Sequence, residues 1–279
     1  LGRYSINTRM NIPQNNVTIV TAFFDINREE KGDGRRLEEY MDWIQKTLKL
    51  NCSLFVVTEE KFRHFFMVNR LKPFPSNMRL HVMDFKESHY YKYYDRMKEI
   101  IESPEYKSRI SYPDRVECKM PEYSIIQYSK FHYLQLAMKE NPFQSTTFFW
   151  MDAGASRFFT NTDISKPFPS PNGHNILTMH PGAFFAQQRP DLQNYQFDEN
   201  FLWKADNLIY GGMFGGNKEI IQQISGMVEN IFVEELLNKG IVNNEQLVLA
   251  LVWRKIPHLF ALCVEPRSPM FLFKILSSV

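Results

Sequence analysis

Phe148-Phe149-Trp150-Met151 is a run of four apolar residues that ends on one acid, Asp152, followed at once by Ala153-Gly154. A run of this kind does not alternate between a core face and a solvated face. It reads as a central strand buried on both sides, and a chain that contains one must cover both faces of its sheet. The small residues after it let backbone or ligand approach closely. In an open α/β sheet, ligands collect at this end of the strands. The alternative is that Asp152 only caps the next turn, a common use of aspartate.

The rest of the chain supplies the covering layers. After a polar lead, residues 1–16, the stretch Val17 to Phe24 is β-rich and ends at Asp25, and Asp25 to Gly34 is a charged loop. Leu37, Tyr40, Met41, Ile44 and Leu48 recur at spacings of three and four, which places one apolar stripe on a helix over Arg35 to Leu50. Ser53 to Thr58 and Leu80 to Met83 repeat the strand signal, while Glu59 to Val68 and His89 to Ile101 read as helical. Pro104, Pro113 and Pro121 punctuate a loop or lid, and a long helix, Glu122 to Glu140, carries Tyr128, Lys130 and His132 into the opening strand. Asn175 to His180 reads as a short strand.

Leu208-Ile209-Tyr210 then runs into Gly211-Gly212-Met213-Phe214-Gly215-Gly216, either a substrate-lining strand or a structural bend. Asn217 to Asn238 is helical and ends at Gly240. Asn243-Asn244-Glu245-Gln246 precedes a helix over Leu247 to Trp253, where Glu245 suits the helix dipole, and His258 to Val264 is a last strand. Alternating β and α segments predict one α/β domain over residues 17–279, with a mostly parallel central sheet flanked by helices.

Composition excludes more than it selects. A formal charge of +2 gives no general case for nucleic acid, and no window approaches the apolar length of a membrane span, although peripheral membrane contact stays open. Cys52, Cys118 and Cys263 are too scattered for a zinc site or a disulfide framework, so a soluble, cytoplasmic protein is expected. There is no GxSxG elbow around Ser156, no HExxH, and neither a Walker nor a GxGxxG pattern in the glycine-rich run; His174 and His180 make a weak pair.

What remains is an acid at a strand end, a glycine-rich strand and a polar, acidic helix start, which suit a sugar nucleotide. That chemistry needs a leaving diphosphate neutralised by an oxygen-ligated divalent ion and basic side chains, and a carboxylate to take a proton from the acceptor hydroxyl. Asp152 could hold the metal, Lys130 or Arg157 could face the phosphates, and Glu245 or Asp206 could act as base.

Val17 to Ile26, Tyr128-Ser129-Lys130, Phe149 to Gly154, Ile209 to Gly216 and Asn244-Glu245-Gln246, taken together and in this order, resemble the HtrL/YibB-like family of GT-A-type glycosyltransferases over nearly the whole chain. The resemblance implies a GT-A fold, a nucleotide-sugar donor such as a UDP-sugar, Mn²⁺ or Mg²⁺, and a glycan or surface polysaccharide as acceptor. By position, Thr21, Ala22 and Phe23 would line the nucleotide and Lys130 would approach its phosphates. Met151, Asp152, Ala153 and Gly154 would stand where the DxD metal motif lies, with Asp152 as the metal ligand. Gly211, Gly212, Met213 and Phe214 would border the acceptor and the donor sugar, and Glu245 would be the base of an inverting transfer, with Asp206 as the alternative. The sequence departs from DxD in having Gly154 at the third position, which calls on water, Asp84, His180 or His258 to complete the shell. A retaining transferase and a non-catalytic carbohydrate- or nucleotide-binding module on the same fold are the competing readings. Arg157, Arg189 or Lys204 would answer an acidic sugar.

Overall fold

A computed structural model describes residues 16–71, 77–265 and 267–279; the polar lead, apart from Asn16, lies outside them. Seven strands form one sheet: β1 (Val17–Phe23), β2 (Ser53–Thr58), β3 (Met78–Val82), β4 (Thr147–Met151), β5 (Phe184–Gln188), β6 (Ile209–Asn217) and β7 (Phe260–Val264). Their order across the sheet is β3-β2-β1-β4-β6-β5-β7. β1 is parallel to β2 on one side and to β4 on the other, whereas β6 runs antiparallel to both of its neighbours. The predicted α/β domain with a mostly parallel sheet is therefore the observed one.

Every residue of β1 is buried, and its side chains alternate between two cores. Val20, Ala22 and Phe24 join Phe55, Val57, Phe148 and Trp150 on one face, and Val17, Ile19 and Phe23 join Leu54, Val56, Phe149 and Met151 on the other. This is the period-two geometry of a strand with a layer on each side, and it accounts for the unbroken apolar runs. The first core is covered by helices α2 (Pro121–Glu140), α3 (Lys218–Ile231) and α4 (Glu245–Lys255), the second by α1 (Leu37–Thr47) and the short C-terminal helix Phe271–Leu276. No described helix is long and apolar enough to cross a membrane.

Because β6 runs backwards, its beginning meets the end of β4. Met151 pairs with Met213, and the Asp152 amide donates to the Gly212 carbonyl at 2.9 Å. The second glycine pair serves close packing: a Cβ on Gly215 would stand 2.1 Å from the Phe148 carbonyl oxygen, and one on Gly216 would stand 2.7 Å from that of Ala183.

One predicted strand is a helix. Asn175 to His180 falls mostly within Pro171–Met179, which starts on a Ser170 cap with Pro171 in its first turn. Gly173 lets it lie against the C-terminal helix, since a Cβ there would meet the Leu276 carbonyl at 2.3 Å. The strand of this region is β5, whose Gln187 and Gln188 disguise it; Gln187 is buried because its amide nitrogen donates to the Ser268 carbonyl and its amide oxygen accepts from the Phe271 amide.

Candidate active site

The chain departs from β1 towards β2 on one side and later returns to β4 on the other, so a crevice opens beyond the ends of these two strands. A cavity of about 370 Å³ lies there. Its floor is Ala22 to Asp25 from the end of β1 and Trp150, Asp152, Ala153 and Gly154 from the end of β4. Helix α2 contributes Tyr123, Gln127 and Lys130; the short helix Arg28–Lys31 and the loop after it contribute Arg28 and Arg35, and the turn after β4 contributes Arg157.

At the floor lies a buried charge cluster. The Lys130 ammonium, 1% exposed, donates to the Gly211 carbonyl and to Glu245 Oε1, each at 2.9 Å, and stands 3.3 Å from Asp152 Oδ1. Burial by itself lowers the pKa of this ammonium, but Asp152 and Glu245 outweigh it and the net direction is upward, so Lys130 stays charged. The Trp150 indole N–H also donates to Asp152 Oδ1, at 2.7 Å. That leaves Oδ2 to face a ligand, on a side chain 41% exposed.

Four of the five segments that carried the family resemblance meet in this network, and the first lines the cavity above it. Tyr128 donates to the Asn243 carbonyl at 2.6 Å and fixes the turn before α4. Asn244 caps α4 by accepting from the Gln246 amide at 3.1 Å, and Gln246 Oε1 accepts from the Gly211 amide at 2.9 Å. Glu245 thus sits in the first turn of a helix, where the dipole favours an anion, with its carboxylate beneath Gly211. A Cβ on Gly211 would come within 2.1 Å of Glu245 Oε1, so this glycine is required by close approach.

Other expected residues are placed elsewhere. Glu245 is 2% exposed and does not line the cavity. Asp206 accepts from Arg189 at 3.3 Å and from the Tyr195 hydroxyl at 2.6 Å, also away from the cavity lining. Met213 and Phe214 are buried in the two opposite cores rather than bordering a substrate, and Met151 is likewise core. Gly212 does reach the site, with its missing Cβ 3.8 Å from Asp152 Oδ2. Ala22 and Phe23 line the cavity as expected; the Thr21 hydroxyl is buried behind them without a partner among the described residues. Lys204 is paired with Asp198 and Arg189 with Asp191, and neither lines the cavity. Ser156 donates to the Trp43 carbonyl.

The expected metal shell does not assemble. Asp84 caps the turn Phe85–Glu87, His180 follows the helix Pro171–Met179, and His258 lies in the turn Pro257–Leu259. Mg²⁺ at a phosphate site is commonly held by one or two carboxylates together with waters and substrate phosphates; here the protein offers one free carboxylate oxygen, on a group whose other oxygen lies 3.3 Å from the Lys130 ammonium. Asp25, the other acid of the floor, is tied to Lys61 at 2.7 Å. The protein's own donor set at Asp152 is therefore a single oxygen beside a cation, which disfavours a divalent ion. Among the described residues, one group could hold a metal: His89, His132 and Glu229, outside this cavity. Two imidazoles and a carboxylate are a donor set of a different character from an oxygen shell.

The sequence reading missed Arg28 and Arg35. Arg28 makes two 2.8 Å bonds to Asp33 and a third to the Tyr40 hydroxyl. Arg35 bonds the same hydroxyl at 3.1 Å, and its guanidinium lies 5.3 Å from the centre of the Trp43 ring, on which Arg157 also lies, at 4.3 Å. Burial lowers the pKa of Arg157, and the neighbouring Arg35 lowers it further. The available signal is three arginines, Arg28, Arg35 and Arg36, flanking Asp33-Gly34 directly after a strand end.

The family model described as "Bacterial protein of unknown function (HtrL_YibB)" matches residues 15–277. No curated protein matches the chain. Among solved structures, the chain is similar to the crystal structure of 4-diphosphocytidyl-2C-methyl-D-erythritol synthase from Anaerococcus prevotii, at 10% identity and a TM-score of 0.35, over 89% of this chain and 87% of that one.

Proposed function

The chain belongs to the HtrL_YibB family, and on that premise we propose that it is a glycosyltransferase of the GT-A type. It takes a sugar from a nucleotide-sugar donor, a UDP-sugar in the first instance, and passes it to a hydroxyl of a glycan or surface polysaccharide. The observation that carries this reading is the position of Asp152. It is a partly exposed carboxylate at the sheet's switch point, held between Trp150 and a buried Lys130, on the floor of a cavity walled by arginines and aromatic rings.

The chain's own residues suit the following step. The acceptor oxygen attacks the anomeric carbon, its proton passes to Asp152 Oδ2, and the bond from that carbon to the phosphate oxygen breaks with its electron pair leaving on the diphosphate. Attack on the face opposite the diphosphate inverts the anomeric centre. Of the two carboxylates on Lys130, only Asp152 is open to the cavity, so it takes the part first given to Glu245. Glu245 fixes the Lys130 ammonium, and the Gly211–Gln246 bond holds the start of β6 against the floor. Tyr40 and Tyr123 supply ring surface for the donor.

The test is incubation of the full chain with a panel of nucleotide sugars and a polysaccharide acceptor, following release of nucleoside diphosphate and the anomer of the product. Release that needs the acceptor and yields the inverted anomer is expected. Binding without release from every donor would instead make the protein a carbohydrate- or nucleotide-binding module.

A further inference from the structure

We propose that the donor's diphosphate is held by two side-chain cations, Arg35 and Arg157, and that binding it requires no divalent ion. This rests on the nucleotide-sugar reading above and identifies what answers the charge of the leaving group.

Three observations converge on it. First, Arg35 and Arg157 have no carboxylate within ion-pair distance among the described residues, and residues 1–15 and 72–76 contain no Asp or Glu that could supply one. Arg28, by contrast, is already neutralised by Asp33. Second, the two free guanidiniums are gathered on the single ring of Trp43, at 5.3 and 4.3 Å, and Arg157 is anchored there by donating from Nε to the Gly154 carbonyl at 3.0 Å. Like charges brought together on one wall of a cavity repel each other until an anion lies between or before them. Third, the carboxylate that would hold a metal has one oxygen engaged by Trp150 and Lys130, and the same cations that attract a diphosphate repel a divalent ion.

The geometry also divides the labour. A guanidinium presents its N–H groups in a fork that fits two phosphate oxygens, and its face can remain on an aromatic ring while it does so. Arg35 and Arg157 meet that description. Lys130, by contrast, is buried and shared among Glu245, the Gly211 carbonyl and Asp152, so it holds the base in place rather than meeting the diphosphate.

The experiment is calorimetric titration of the full chain with UDP, GDP, CDP and ADP, each in EDTA and in Mn²⁺. Wild-type protein is expected to bind at least one diphosphate with affinities in EDTA and in Mn²⁺ that agree within about threefold. Arg157→Ala and Arg35→Ala should each weaken it by about tenfold or more, the worth of a charge-assisted bond, while Arg157→Lys should recover part of the loss. Melting curves of the variants show whether they remain folded, and the comparison in EDTA needs no variant at all. Binding that vanishes in EDTA and returns with Mn²⁺ would overturn this inference and leave the transferase reading intact. So would unchanged affinity in both alanine variants. Failure of every diphosphate to bind in either condition would overturn the nucleotide-sugar reading and this inference with it.

Discussion

Lys130 Nζ and Glu245 Oε1 lie 2.9 Å apart with both side chains 2% exposed, an ion pair joining α2 to the first turn of α4 behind the cavity floor. Removing one partner of such a pair leaves the other charge buried and uncompensated, at a cost of about 3–5 kcal/mol. Lys130→Met is expected to destabilise the fold by that order, and the double variant Lys130→Met with Glu245→Gln by less than the sum of the two single changes. Urea unfolding of the four proteins measures the coupling.

Glu245→Gln separates positioning from proton transfer. If Glu245 only fixes Lys130, the variant retains measurable turnover and its loss of activity tracks a loss of stability. Asp152→Asn should cost less stability than Glu245→Gln, because its side chain is 41% exposed, while lowering turnover by about 10²-fold or more as expected for a lost base. The two variants are compared by melting temperature and diphosphate release; the opposite pattern would return the base to Glu245.

The glycines give a graded test of close approach. Gly215→Ala would drive a Cβ to 2.1 Å from the Phe148 backbone oxygen, and nothing in β4 can yield without breaking the pairing of β4 with β6. A loss of about 1–3 kcal/mol or more is expected. Gly226, in the interior of α3 with nothing within 4 Å of its missing Cβ, should behave oppositely. There, Gly226→Ala is expected to stabilise by about 0.5–1 kcal/mol, since alanine restricts the unfolded chain and favours helix. Denaturant midpoints distinguish the two.

Acid lability should originate at the stacked pair His89 and His132, whose rings lie 3.4 Å apart. Burial, with His89 next in effect, pushes His132 from 6.5 down to about 3. Its neutral form belongs to the folded state, so the contribution to stability is complete above pH 6.5 and is lost as pH falls towards 3. Glu229 is pushed up by burial but held down more strongly by Tyr93, Lys92 and His89, to about 2, so its contribution is complete above its ordinary 4.5 and fades below that. Melting temperature should therefore begin to drop below about pH 6.5, with a second loss below about 4.5. His132→Phe should flatten the first phase and leave the second.

What the sequence by itself determined was the sheet. Apolar runs such as Val17 to Phe24 and Phe148 to Met151 leave no solvated face, so they had to be interior strands, and the acid that ends the second had to lie at a strand end. Periodicity reports each residue's own faces, and at these positions burial on both faces is the whole answer. It failed at Asn175 to His180 and at β5, where an apolar pair in a capped helix and a buried Gln187 satisfied by distant backbone reversed the local signal.

Only the tertiary structure decided which charges meet. Lys130 and Glu245 are separated by 115 residues, and the antiparallel course of β6 is what brings Gly211 onto both, its carbonyl on Lys130 and its missing Cβ over Glu245. That packing buries Glu245 and leaves Asp152 open, although both read as plausible bases. The same folding lays Arg35 and Arg157 on one tryptophan, although they are 122 residues apart in sequence. Spacing along a chain carries no record of such contacts, because the energy of a charge depends on its surroundings in space rather than its neighbours in sequence.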